Sequence, residues 1–149
     1  MYEMTERREF LTKALALVGG CMCAGWFSGC ENDVLKSSGV SVQFDVGSAP
    51  ALAQVGGSVK QVFEGQNGGA PVIIFRRAEE DFAVLSSVCT HEACEVDLPG
   101  DRDPQIWCSC HGARFDRTTG AVLRGPASAP LPRFESTYDN GTQTLTILF

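Results

Sequence analysis

The chain contains two related stretches, Cys89-Thr90-His91-Glu92-Ala93-Cys94 and Cys108-Ser109-Cys110-His111-Gly112-Ala113-Arg114-Phe115-Asp116. Each stretch offers one thiol and one imidazole beside a further cysteine: Cys89 and His91 with Cys94, and Cys108 and His111 with Cys110. A [2Fe–2S] cluster can use such a set, because one iron takes two thiolates and the other takes two neutral imidazoles. Each stretch can therefore supply one thiolate ligand and one imidazole ligand.

Two other uses of these side chains are possible. Two cysteines and two histidines at short spacing also form a tetrahedral structural zinc site. A four-ligand zinc site has no use for Cys94 and Cys110, which favours the cluster. A framework of disulfides alone leaves both histidines without a function. The residues by themselves favour iron and leave zinc as the alternative.

Over roughly Val88 to Pro132 the chain resembles the Rieske iron–sulfur family, in the two stretches above and in Gly120-Ala121-Val122-Leu123-Arg124-Gly125-Pro126-Ala127. The resemblance implies one Rieske-type [2Fe–2S] cluster. It implies that Cys89 and Cys108 bind the buried iron, and that His91 and His111 bind the outer iron and expose their second ring nitrogen.

The two remaining cysteines point to one branch of that family. The resemblance implies a disulfide between Cys94 and Cys110, as in cytochrome bc-type Rieske proteins, whereas the Rieske ferredoxins of oxygenase systems lack this pair. The segment Gly125-Pro126-Ala127 is similar to the proline loop that covers the cluster from a third side.

Among the departures from the bc-type pattern, three bear on function, whereas Ala93 and Ser109 replace the usual glycine and proline with no functional consequence drawn from them. Ala113 and Phe115 stand where those proteins usually carry a serine and a tyrosine, whose hydroxyls donate hydrogen bonds to sulfur. Such bonds favour the reduced cluster, so their loss predicts a reduction potential lower by on the order of 100 mV. The expected potential lies in the lower or middle part of the family's range of roughly −150 to +300 mV. Glu92 stands where quinol-oxidising relatives commonly have leucine, and a carboxylate suits an apolar quinol pocket poorly.

Composition limits the other possibilities. The 149 residues carry a formal net charge of −6, which argues against nucleic-acid binding and suits a basic redox partner such as a cytochrome. The length predicts a single domain after any targeting segment. A Rieske oxygenase, which needs a second large domain for a mononuclear iron, is therefore not expected.

Short alternating segments predict an all-β class. They are residues 41–46, 59–63, 71–75, 82–88, 134–139 and 142–149, with hairpin signals at Asn67-Gly68-Gly69 and Asn140-Gly141. The expected architecture is an antiparallel β base sandwich over residues 40–149, with a cluster-binding subdomain of two loops inserted at about 89–127. Trp107, directly before Cys108, is expected to pack in the junction.

The N-terminal region predicts export. Glu6-Arg7-Arg8-Glu9-Phe10-Leu11 resembles a twin-arginine signal and precedes sixteen uncharged residues, 14–29. This run is shorter than the roughly 17–25 residues that span a bilayer. Phe27-Ser28-Gly29-Cys30 resembles a lipoprotein cleavage box, which predicts acylation of Cys30, and Cys21 follows a weaker one. An uncleaved signal anchor is the alternative. Residues 1–30 are thus a leader or anchor, and residues 31–39 a polar tether.

Three functions are compatible with these features. The first is an exported, membrane-tethered Rieske electron carrier, or the Rieske subunit of a quinol:cytochrome c oxidoreductase-like complex. The second is the small subunit of a molybdoenzyme resembling arsenite oxidase, and the third is a zinc-binding module without redox chemistry. The redox partner would be a cytochrome b-like subunit, a cytochrome c or a molybdoenzyme large subunit. The expected location is the periplasm or the outer face of the cytoplasmic membrane. Whether the chain belongs to an enzyme is left open, since by itself it would only transfer electrons.

Overall fold

The structure is a computed structural model that describes residues 39–100 and 103–149. These residues form nine β-strands and three short 3-10 turns, with no α-helix among them. The strands are β1 Ser41–Asp45, β2 Ser58–Gln61, β3 Val72–Ala78, β4 Asp81–Ser86, β5 Ile106–Trp107, β6 Arg114–Phe115, β7 Val122–Arg124, β8 Arg133–Asp139 and β9 Thr144–Leu148. The all-β prediction is confirmed. The predicted leader with Cys30 and residues 31–38 of the tether lie outside the described residues. No helix within the described part is long and apolar enough to span a bilayer.

Six strands form the base of the domain, in the antiparallel order β1-β9-β8-β4-β3-β2. Strand β8 belongs to two layers, since its start pairs with β4 and the rest pairs with β9. The sheet bends there and its two edges approach each other. The ring of Phe44 in β1 lies 6.2 Å from that of Phe63, which follows β2. The two layers thereby enclose one apolar core, as expected for a base sandwich.

Strands β3 and β4 separate two cores, because both of their faces are buried. Val72, Ile74 and Val84 point into the core of the base. Ile73 and Leu85, on the opposite face, pack against the inserted segment. Residues of a strand alternate between its faces, so a strand buried on both sides has a continuous apolar run rather than an alternating one. The runs Val72–Phe75 and Phe82–Leu85 have this character.

The turns differ in part from the prediction. Asn140-Gly141 lies in the β8–β9 turn as predicted, with Asp139 accepting hydrogen bonds from the backbone of the turn. Asn67-Gly68-Gly69 lies in the connection between β2 and β3, which pair antiparallel, so this hairpin signal is also confirmed; the connection is longer and contains a 3-10 turn. The tight hairpin joins β3 to β4 through Glu79 and Glu80, a pair without glycine or asparagine that gave no turn signal.

The segment between β4 and β8 forms the predicted inserted subdomain. It contains the three-stranded sheet β5-β6-β7. Its core joins Ile106, Phe115 and Leu131 to the outer face of β3 and β4. The first cysteine–histidine stretch lies in the loop that precedes Val96, and the second lies in the loop that connects β5 to β6. Their first residues, Cys89 and Cys108, are buried in this core.

Candidate metal centre

The two stretches adopt the same turn, and this places their side chains. In the first loop the N–H of Cys89 donates to Cys94 O at 2.7 Å, and the N–H of Ala93 donates to Cys89 O at 2.9 Å. In the second loop the N–H of Cys108 donates to Ala113 O at 2.9 Å, and that of Gly112 donates to Cys108 O at 2.9 Å. The fifth residue of each turn is left-handed, with φ of 57° at Ala93 and 77° at Gly112. Glycine adopts this conformation without strain, whereas alanine does so at a cost of about 1–2 kcal/mol.

A disulfide joins the two loops. Cys94 and Cys110 are bonded, with Cα atoms 6.6 Å apart, as the family resemblance implied. The bond links the end of the first turn to the middle of the second. It therefore fixes the relative position of Cys89 and Cys108, which remain free thiols.

The two free thiols lie together in the apolar core of the subdomain. Cys89 is 2% exposed and Cys108 is 1% exposed. The pKa of the Cys89 thiol is raised, first by burial and also by the neighbouring Cys108 thiol. Hydrogen bonds from the backbone N–H groups of His91 and Glu92 act in the opposite direction. Two adjacent buried thiols are costly to ionise without a cation, whereas a bound metal deprotonates a coordinating thiol. The chemistry of this pair fits a metal with thiolate ligands.

The two imidazoles lie together at the exposed end of the loops. Their ring centroids are 4.8 Å apart and their planes are nearly perpendicular, at 82°. The side chain of His91 is 27% exposed and that of His111 is 46% exposed. Nδ1 of His91 is buried and has no hydrogen-bond partner among the described residues. A buried polar atom normally has a partner, so this nitrogen fits the position of a metal ligand.

A third loop lies against the first one. The Thr90 hydroxyl donates to Ala129 O at 2.6 Å, which ties the first turn to the segment after Gly125-Pro126. The peptide bond between Gly125 and Pro126 is cis. This contact supports the expected placement of the proline loop on a third side of the site.

The two positions that are predicted to lower the potential, Ala113 and Phe115, are buried beneath the loops. Ala113 and Phe115 are fully buried in the same core as Cys89 and Cys108. Neither side chain can donate a hydrogen bond. Their place in that core is compatible with the predicted effect on potential, which stays a prediction.

Trp107 does not pack in the junction, and that expectation was wrong. Trp107 is 43% exposed because successive residues of a strand face opposite sides and Ile106 takes the inward position of β5. Trp107 shares the outer face of the small sheet with Arg114, its cross-strand partner. Arg114 forms an ion pair with Asp103 and lowers the pKa of that carboxyl.

One supporting turn, at Asp116 to Gly120, was not predicted from the sequence. Gly120 N–H donates to Asp116 O, and Leu131 N–H donates to Gly120 O, so the turn anchors the segment that leads into β8. Burial would raise the pKa of Asp116, but hydrogen bonds from the hydroxyls and backbone N–H groups of Thr118 and Thr119 lower it to about 2. The Asp-x-Thr-Thr-Gly pattern is the feature that could have indicated this turn.

The chain is similar to known proteins in sequence and in fold. The family model of the Rieske [2Fe-2S] domain matches residues 32–135. The cytochrome b6-f complex iron-sulfur subunit of Chlorobaculum thiosulfatiphilum is 28% identical over 131 residues, covering 88% of this chain and 70% of that protein. The menaquinol:cytochrome c reductase iron-sulfur subunit of Geobacillus thermodenitrificans is 26% identical over 147 residues, covering 91% and 87%. A solved structure described as hyperthermophilic respiratory Complex III contains a chain with the same fold, at a TM-score of 0.50 and 19% identity, covering 94% of this chain and 92% of that one.

Buried thiols beneath exposed imidazoles, on a β scaffold, define a class of iron–sulfur electron carriers. The chain belongs to the Rieske [2Fe–2S] family, whose domain binds a [2Fe–2S] cluster. It is an electron-transfer protein related to iron–sulfur subunits of cytochrome bc-type complexes. The zinc-module alternative is therefore set aside.

Proposed function

We propose that this chain is an exported, membrane-tethered electron carrier that serves as the iron–sulfur subunit of a quinol:cytochrome c oxidoreductase-like complex. The observation that carries the proposal is the burial gradient across the site, from thiols at 1–2% exposure to imidazoles at 27% and 46%. Electrons would cross at the imidazole end, where the protein cover is thinnest. The two relatives described above are iron-sulfur subunits, of a cytochrome b6-f complex and of a menaquinol:cytochrome c reductase, which supports the same place in a complex.

Each ligand position has a distinct task in this proposal. Cys89 and Cys108 would hold the inner iron, where the backbone N–H groups of His91 and Glu92 stabilise negative charge on the Cys89 sulfur. His91 and His111 would hold the outer iron through the nitrogens that face inward. When bound, the cluster supplies one-electron redox chemistry. The outward Nε2 atoms of both rings can exchange a hydrogen bond or a proton with whatever docks there.

Spectroscopy of ligand variants tests this arrangement. The full-length protein, reduced with dithionite, is expected to give the electron paramagnetic resonance signal of a cluster with mixed nitrogen and sulfur ligation. Cys89→Ser and His111→Ala should lose that signal and about two irons per chain, which is the content of a [2Fe–2S] cluster. Asp97→Asn, a change at an exposed position outside both turns, should keep both. A wild-type protein that is colourless and contains zinc would contradict the proposal.

Export and tethering are a separate part of the proposal. A twin-arginine pathway carries folded proteins, which suits a domain that must receive its cluster in the cytoplasm. The motif Arg7-Arg8 and the box ending at Cys30 support this route. We propose that the mature chain begins at an acylated Cys30 and that residues 31–39 hold the domain off the membrane, at the periplasmic or outer face.

A double arginine variant tests export, and two cysteine variants test the tether. Replacing Arg7 and Arg8 by lysine should leave the protein in the cytoplasm. Cys30→Ser should remove the lipid mass from the mature N-terminus and release the domain from membranes, whereas Cys21→Ser should do neither. An intact Met1 in mass spectra of the membrane-bound wild type would contradict cleavage and favour the signal anchor.

A further inference from the structure

The carboxylate of Glu92 lies between the outer nitrogens of the two imidazoles. Its Oε1 is 3.9 Å from His91 Nε2, and its Oε2 is 3.7 Å from His111 Nε2. The Glu92 side chain is 62% exposed, more than either ring. The three side chains of His91, Glu92 and His111 form one continuous surface at the tip, which we call the tip surface.

Glu92 differs from the paired carboxylates of the domain. Asp81, Glu95 and Asp103 each lie within ion-pair distance of an arginine or a lysine. No lysine or arginine within residues 39–100 and 103–149 forms an ion pair with Glu92, whose only basic neighbours are the two rings. Imidazoles that bind iron are neutral ligands. The charge of Glu92 is therefore left for a partner to compensate.

This charge restricts what can cover the tip surface. Any partner that approaches both rings closely must also remove water from Glu92. An unpaired carboxylate is costly to transfer into an apolar pocket. A lysine or arginine on the partner would offset that cost and would align the complex over the rings, because charged groups at an interface set approach and register. The net charge of −6 attracts a basic partner from a distance.

We propose that the tip surface docks onto a redox protein that presents a lysine or arginine at its own electron-accepting surface, and that Glu92 is the residue that selects it. The proposal rests on the proposed electron-transfer function, since the tip surface is the end of the site where electrons cross. It deepens that function by stating the chemistry of the partner.

The test compares Glu92 with a matched exposed carboxylate. Glu80 lies in the β3–β4 turn, at the far end of β4 from the first cluster loop, about 20 Å away along the strand. It is exposed and forms no ion pair within the described residues. Glu92→Gln and Glu80→Gln change the net charge equally, so only the position of the charge differs between them. Glu92→Asp keeps the charge near the rings.

The measurement is the second-order rate of oxidation of the dithionite-reduced full-length protein by a lysine-rich cytochrome c, by stopped flow. We expect Glu92→Gln to slow this reaction about fivefold at low salt, as for the loss of one ion pair. Glu80→Gln should change it less than twofold, and Glu92→Asp should keep most of the wild-type rate. The difference should shrink at 0.5 M salt because the charges are screened. A redox titration of each variant corrects the rates for driving force.

Other outcomes overturn the proposal. Equal slowing by Glu92→Gln and Glu80→Gln would mean that only net charge matters. An unchanged cytochrome rate in Glu92→Gln would mean that Glu92 does not select the partner, and faster reduction of Glu92→Leu by a hydrophobic quinol would then assign the tip surface to an apolar pocket. The paramagnetic signal of each sample is recorded first, so that failure to bind the cluster is distinguished from failure to dock.

Discussion

Restoring a hydroxyl beside the cluster ligands should raise the reduction potential. Phe115→Tyr and Ala113→Ser each add one O–H to a side chain that is fully buried in the core around Cys89 and Cys108. Water cannot reach either position to compete for the hydrogen bond. A donor to sulfur stabilises the reduced cluster more than the oxidised one, because the added electron makes the sulfurs better acceptors.

The size of the effect follows from the energy of one hydrogen bond. A bond worth about 1 kcal/mol more to the reduced state corresponds to roughly 45 mV for a one-electron couple, since 59 mV is tenfold in the equilibrium constant. Each single variant should therefore rise by about 50 mV, and the double variant by about 100 mV. The assay is a redox titration followed by paramagnetic resonance, with full-length protein.

Phe82→Tyr is the matched control for this experiment. Phe82 is also buried, but it lies in the core of the base rather than in the core around the cysteines. The same chemical change there should leave the potential within error of the wild type. A double variant with an unchanged or lower potential, or a control that shifts as much as Phe115→Tyr, would refute the reasoning that missing donors set this potential.

Three further predictions concern stability. Replacing Cys94 and Cys110 by alanine removes a crosslink across a sequence separation of 16 residues and should lower the free energy of unfolding in urea by about 3 kcal/mol. The carboxyl of Asp116 has its pKa lowered from 3.8 to about 2, so its contribution is present above pH 4 and is lost as the pH falls toward 2. Acid titrations followed by circular dichroism should show wild type losing about 1 kcal/mol more than Asp116→Asn over that window, after allowance for solvent screening. Gly120→Ala would place a Cβ 2.7 Å from Leu131 O at a φ of +76°, and it should lower the free energy of unfolding in urea by about 3 kcal/mol. The control Gly68→Ala is also left-handed but has open space around its Cβ, so it should lower the same free energy by about 1 kcal/mol.

Much of the fold could be predicted because its signals are local. The six base strands have β-rich segments bounded by turn residues, and all six predicted segments coincide with strands to within a few residues. The strands of the inserted subdomain were not predicted, because β5, β6 and β7 have only two or three residues. Segments that short show no period in the sequence. Their pairing depends on the second core beneath them.

The residues of the site could be predicted from the sequence, whereas the conformation of its loops could not. The cysteines and histidines are recognisable as residue types at fixed spacing, and the disulfide followed from the resemblance. The sequence did not predict that the two turns have the same backbone conformation. Their left-handed position is taken by Gly112 in the second turn but by Ala93 in the first, and alanine is not typical of that conformation. Trp107 was misplaced because hydrophobicity alone does not say which face of a two-residue strand is buried.

The position of the charges explains how one small domain can separate ligand binding from partner choice. The thiols and the side chains of Ala113 and Phe115 are closed off from solvent, so they cannot touch a partner, and their predicted effect is on the potential of the cluster alone. Glu92 has the opposite situation, since its carboxylate is exposed and lies beside both outer nitrogens. Substitutions in the core should therefore change the potential with little effect on docking, and a substitution at Glu92 should change salt-dependent rates more than stability. Measuring potential, rate and stability on the same variants separates these contributions.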